Sequence, residues 1–171
     1  MKAKELALGG VLAAAAVGLM LLGGLFPLAV YAAPMLASMP LVLLLRRLPR
    51  GVCVGWYAAV SLLSLILCAD KETALVFAFL GWYPIAREPL QGLPRLPRIA
   101  LKLLIFNAAV AALYALLILV LRLDELVAEA KELSFAMGAL LLSLGNAGFL
   151  LFDRLLAVQT SYIESRAGKR K

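Results

Sequence analysis

LALGGVLAAAAVGLMLLGGLFPL, residues 6–28, is twenty-three residues without a charge. A bilayer core of ~30 Å needs about 20 apolar residues wound as a helix, so this run is long enough to cross one. Working outward, five more apolar runs follow: 29–45, 51–69, 73–86, 99–121 and 133–153. The second contains Pro34 and Pro40 and spans only if it starts near Leu28 and is kinked at its prolines. The fourth, 73–86, is short for a span. The stretch 87–98 holds three prolines and a glycine and reads as a loop. The charged segment 122–132 has one apolar face and suits a short surface helix. A basic tail, 161–171, closes the chain.

Composition agrees with this pattern. Of 171 residues 64% are hydrophobic and only 16% charged, and mean hydropathy is +0.99. A water-soluble domain of this length has too little interior to hide so much apolar surface, whereas lipid-facing helices expose it at no cost. The expected fold is therefore all-α: one polytopic membrane bundle, residues 1–171, of about six transmembrane helices. Lys2 and Lys4 precede the first run like the basic start of a signal peptide, but a signal core is about 7–15 residues, so the run is expected to stay as a span.

Basic residues orient the bundle. With the N-terminus inside, the cytoplasmic segments carry fourteen of the seventeen lysines and arginines, and the outer ones only Lys71, Arg122 and Lys131. The alternation holds at every loop, which predicts that both termini are cytoplasmic in the cell membrane. The net charge of +7 is explained in this way, and no nucleic-acid partner is expected. Membrane lipid is the expected neighbour, acidic headgroups at the inner surface included.

Several chemistries are absent. With no histidine, there is no Ser/His/Asp or Cys/His catalysis and no helical zinc-protease motif. Cys53 and Cys68 stand fifteen positions apart in one helical run, ~22 Å, beyond disulfide reach. They are expected to be packing residues. No glycine-rich phosphate loop or metal cluster appears. No catalytic site, cofactor or metal is expected, and the chain is read as a non-enzyme. A lipid-modifying centre would need a polar cluster near the headgroups, and only Asp153 with Glu88 could begin one.

The candidate functional residues are the polar groups in or beside apolar runs, because such groups need a partner or a role. Asn107 and Asn146 lie near mid-depth of the fifth and sixth runs. They serve either as a hydrogen bond between helices or as part of a ligand cavity. Asp70, Lys71 and Glu72 cluster at the outer turn, where Asp70 suits a helix cap and the trio suits a pocket rim. Tyr31 in the first outer loop is an interfacial anchor or a lid. Trp56, Tyr57, Trp82 and Tyr83 suit an inner interface belt. Lys102 is expected to snorkel to the inner surface, and Asp153–Arg154 to form a local charge pair. Gly10, Ala14 and Gly18 are four apart, and Ala3 and Ala7 continue the spacing offset by one. Such a face lets another helix approach closely. Gly145 and Gly148 flank Asn146 in the same manner.

Six helices in under 200 residues, a basic and mostly apolar chain, and small residues on the first helix together resemble the S components. These are the substrate-binding membrane subunits of energy-coupling factor transporters. The resemblance covers nearly the whole chain. It implies binding of a vitamin, a vitamin precursor or another micronutrient from outside, with release driven by a separate T component and two ATPase subunits. It also implies that an Ala-x-x-x-Ala pattern on the first helix docks the T component; Ala3-x-x-x-Ala7 fits, and Gly10-x-x-x-Ala14 fits with glycine in place of alanine. Tyr31, Asp70, Lys71 and Glu72 would rim the ligand pocket, and Asn107 and Asn146 would floor it. The competing expectation is a non-transporting membrane scaffold or assembly factor, a packed bundle without a pocket.

Overall fold

The computed structural model describes residues 3–23, 29–119 and 134–168. These residues form eight helices, and no strand occurs among them. In chain order they are α1 (Ala3–Leu21), α2 (Ala29–Ser38), α3 (Pro40–Leu45), α4 (Arg50–Leu67), α5 (Lys71–Leu80), α6 (Tyr83–Leu90), α7 (Arg95–Leu119) and α8 (Phe135–Gly168). Helices α1, α4, α7 and α8 are long and apolar enough to cross a membrane. Large apolar side chains such as Leu6, Val11, Leu62, Ile66, Leu104 and Leu144 stand exposed along them, where lipid replaces water as the solvent. The chain is a multi-pass, all-α membrane protein. The expected surface helix at 122–132 lies outside the described residues.

The chain divides into two compact units, Met1–Gly92 with Leu156–Lys171, and Leu93–Leu155. The first is built from one pattern used twice. A helix of 19 residues, α1, is followed by a 10-residue helix, α2, and a 6-residue helix, α3. A helix of 18 residues, α4, is likewise followed by 10 residues of α5 and 8 of α6. Both short arms open on a proline, Pro40 or Pro84, and both are followed by Leu-Pro-Arg, at 48–50 and 93–95. Equivalent elements pack on each other: α1 on α4, α2 on α5, α3 on α6. Small residues allow this closeness. Ala16, Val17 and Met20 of α1 meet Ala37, Val60, Ala74 and Phe77 in a buried cluster, with Leu41, Leu44, Leu48 and Cys53 forming a second. Cys53 and Cys68 are both free and buried, the packing role expected of them.

The two breaks have separate causes. At the first, Pro40 has no N–H to donate, so the helix restarts there as α3. Carbonyls around the break take further donors, Met39 O in addition to the N–H of Val42. Ser38 Oγ donates to Met35 O (2.7 Å), Met39 N to Leu36 O (3.1 Å), and Gln159 Nε2 to Met39 O (3.2 Å). At the second, a Cβ on Gly81 would lie 2.5 Å from the Phe77 carbonyl, so only glycine closes α5 there without a shift. Tyr57 Oη donates to the Ala78 carbonyl and Trp82 Nε1 to Phe79 O (2.7 Å).

Three sequence expectations need correction. The fourth run, 73–86, is not one helix but α5 and the start of α6, parted at Gly81–Trp82. The stretch 87–98 is not a loop, since only residues 91–94 lie outside helices. Pro97 is third in α7, where backbone N–H groups have no intrahelical acceptor, so it costs nothing there. Finally, α8 does not end near 153 but continues to Gly168 through most of the basic tail. Residues 149–167 contain neither glycine nor proline, so nothing in the chain stops it.

In the second unit, α7 pairs with the first part of α8. Lys102 meets Asp153, Phe106 stacks on Phe149 at 4.6 Å between centroids, and Asn107 meets Asn146. As one residue number rises the other falls, so the helices run antiparallel.

Candidate functional site

The polar side chains of the apolar helices come together in two places, one in each unit. In the second unit, Asn107 Nδ2 donates to Asn146 Oδ1 at 3.0 Å, and Asn146 Nδ2 returns a bond to Asn107 Oδ1 at 3.3 Å. The other hydrogen of each amide goes one turn back along its own helix, to Leu103 O and Leu142 O, both at 2.8 Å. All four donor hydrogens are used. This is the helix-to-helix bond that was one of the two expectations for these residues, and such bonds contribute about 0.6–2 kcal/mol in membranes. A Cβ on Gly145 would meet the Phe106 ring at 3.6 Å, an ordinary contact, and one on Gly148 would meet nothing, so neither glycine is required by close packing within the described residues.

Lys102 departs from expectation. It does not snorkel. Its Nζ lies 2.6 Å from Asp153 Oδ2, and the two side chains are 6% and 15% exposed. Asp153 correspondingly reaches across to α7 rather than only to its neighbour Arg154. The reason is geometric: a lysine one face round from lipid meets a carboxylate sooner than it meets water. A buried pair like this gains little over an apolar pair, yet losing either partner strands a charge. The available signal was depth, because each charge sits close to the basic end of its own apolar run.

In the first unit, Tyr31 Oη donates to Glu72 Oε1 at 3.0 Å, linking α2 to the first turn of α5. Asp70 is the N-cap of α5: its carboxylate accepts from Glu72 N (3.0 Å), Thr73 N (3.3 Å) and Thr73 Oγ1. Lys71 turns back to the C-terminus of α4, donating to Leu65 O and Cys68 O at 2.8 Å each. A cation on terminal carbonyls is favoured by the helix dipole. Of the trio, Asp70 and Lys71 therefore hold the α4–α5 turn, and Glu72 is the member joined to Tyr31.

Other side chains turn inward where a belt was expected. Trp56 Nε1 donates to Gly9 O at 2.9 Å, and Tyr83 is buried. With Tyr57 and Trp82 bonded to carbonyls of α5, these aromatics join helices to each other. Glu88 pairs with Arg50 at 2.9 Å, and Arg46 with Glu164 at 2.6 Å. Arg87, expected in a solvated loop, is instead buried on the packed face of α6.

On α1 the core face is Ala16, Val17 and Met20, while Ala3, Ala7, Gly10 and Ala14 are exposed and Gly18 is half-buried. A Cβ on Gly10 or Gly18 would meet nothing within 4 Å. Among the described residues, nothing packs against the Gly10 and Gly18 positions of the small-residue stripe.

No family model, curated protein or solved structure matches the chain. The fold and the paired polar groups define its class directly, as a small, multi-pass helical membrane protein in contact with lipid.

Proposed function

We propose that the chain is a substrate-binding membrane subunit of the S-component kind. In this reading it lies in the cell membrane with both termini cytoplasmic, takes up a vitamin or other micronutrient from the outer side, and hands it to a T component and ATPase subunits. It performs no catalysis itself. The observation that supports this most is the open stripe on α1. One face of the helix is packed into the core, and the face of small residues is bare, as a helix awaiting a partner helix requires. The basic bias of the inner loops supports the orientation. On the ligand side Tyr31 and Glu72 are the contact residues, since Asp70 and Lys71 hold their turn. Asn107 and Asn146 contribute to a pocket floor only by giving up their mutual bond.

The second reading, a scaffold or assembly factor without a ligand, is favoured by that same bond and by Lys102–Asp153, because the polar groups inside the bundle already satisfy each other. Gentle extraction of the tagged protein from its native membrane, followed by mass spectrometry, separates the two. Copurified T component and paired ATPases are the expected result. Recovery of the protein without them, in detergent and again in lipid nanodiscs, would sink the transport reading.

A further inference from the structure

The end of the first unit that carries Arg46, Arg47 and Arg50 is built from two short helices, α3 and α6, each joined to a longer one through a break. Six and eight residues are too few for a helix to hold itself, so both arms depend on what they touch. They touch each other, and Leu41 and Leu44 of α3 with Ile85 of α6 gather over Cys53 of α4. Each arm is also tied by an ion pair. Arg46, at the end of α3, meets Glu164 of α8 at 2.6 Å, and Glu88 of α6 meets Arg50 of α4 at 2.9 Å. These four side chains are 34–59% exposed. Exposed pairs hold weakly and are screened by salt.

The opposite end of the same unit is built tightly. A Cβ on Gly23, just past α1, would lie 2.8 Å from Thr73 Cγ2 and 3.2 Å from Ala33 Cβ. Ala33, Ala37, Thr73 and Ala74 are buried there. Tyr31 is bonded to Glu72, and Lys71 to the last carbonyls of α4. Between the tight end and the weakly tied one lie the breaks at Met39–Pro40 and Gly81–Trp82, at matched places in the two halves. A hinge has these parts: a fixed body, a few element-terminal residues that absorb rotation, and an arm that is released at little cost.

We propose that α3 and α6 are a pair of hinged arms that swing about these breaks, with Arg46–Glu164 and Arg50–Glu88 as their latches. Opening parts Leu41, Leu44 and Ile85 from α4 and uncovers Cys53, whose Sγ donates to Leu48 O when the arms are closed. In the orientation favoured by the basic residues, the arms open toward the cytoplasm, and the transport reading makes that the way a ligand leaves. Only this role rests on the transport reading. The motion is measured without ligand or partner, so the two fail separately.

The test uses the two native cysteines of the full chain in phosphatidylethanolamine/phosphatidylglycerol vesicles. Cys53 and Cys68 are 0% and 1% exposed, so a rigid bundle protects them equally, and Cys68 belongs to the cluster that holds Ala37 and Ala74. N-ethylmaleimide, which crosses lipid, is added, and mass spectrometry of the digested protein gives the labelling rate at each thiol. Cys53 is expected to react faster than Cys68. In Glu164→Gln and in Arg50→Gln its rate is expected to rise about two- to fivefold, the effect of losing one exposed pair, with Cys68 unchanged. Pro40→Ala restores a backbone N–H at one hinge and is expected to slow Cys53. Equal labelling of the two cysteines in the native chain, or a Cys53 rate that neither glutamine variant raises, overturns the proposal.

Discussion

The two units differ in where the polar side chains of their apolar helices go. In the first, with its two broken helices, several go to the backbone, Ser38 and Gln159 at one break, Tyr57 and Trp82 at the other and Lys71 at the end of α4, beside the side-chain pairs Tyr31–Glu72, Arg50–Glu88 and Arg46–Glu164. In the second, α7 and α8 are unbroken, and polar side chains meet side chains: Asn107 with Asn146, Lys102 with Asp153. A helix interrupted by proline or glycine leaves carbonyls without donors, and in lipid each of these must find one. The interior of a continuous helix has no carbonyl lacking a donor, so a polar side chain there is available to a polar side chain on the helix opposite. Where the backbone is broken, side chains repair it; where it is whole, they specify which helix pairs with which, and in what register.

The sharpest way to break this contrast is Lys102→Met, which removes the lysine from the buried pair it makes with Asp153 between α7 and α8. Losing one partner of a buried pair costs about 3–5 kcal/mol, and the double change Lys102→Met with Asp153→Leu is expected to recover much of it. Reversible unfolding in bicelles measures both, and equal loss in the single and double variants would mean that the pair does not set the register. Next in size is Tyr57→Phe in the first unit. It leaves the Ala78 carbonyl without its side-chain donor, at a cost of about 1–3 kcal/mol by the same assay. A loss near zero would show that the carbonyl at the break is satisfied some other way.

Asn107→Leu is expected to cost less, about 0.6–2 kcal/mol, and in a double-mutant cycle with Asn146→Leu most of the effect should be shared. Additive losses would show that the two amides act separately and would reopen the question of a ligand between them. The smallest expected effect is that of Gly10→Leu. The site is open, so stability should move by no more than about 0.5 kcal/mol, while recovery of a T component should fall if α1 is the docking helix. Unchanged recovery would remove α1 from the docking role.

Much of the fold was legible in the chain. Charge-free runs located each of the four long helices, with α8 running fifteen residues beyond its run, and Pro40 marked the break in the second run, whereas Pro34 lies inside α2. Element ends were less legible, because proline has two meanings. Pro40 and Pro84 open helices, Pro89 and Pro97 lie within the ends of helices, and composition treats all four alike. At the candidate site the residue types were right and several partners were not. Asp70 could be foreseen as a cap because its N–H donors are two and three residues away, whereas Lys102 finds Asp153 fifty-one positions along the chain.

The sequence by itself determined the solvent of this protein, its helical class, and the positions where polarity would need explaining. Burial of apolar surface and the length of a helix across lipid are properties of composition summed over local windows, and they survive without knowledge of neighbours. Only the tertiary structure decided which polar group satisfies which. It turned Lys102 from a surface lysine into half of a buried pair, joined two asparagines, and drew the aromatics inward to the breaks. Those outcomes depend on the rotation and register of packed helices, where a shift of one residue turns a side chain by about 100° and gives it a different partner.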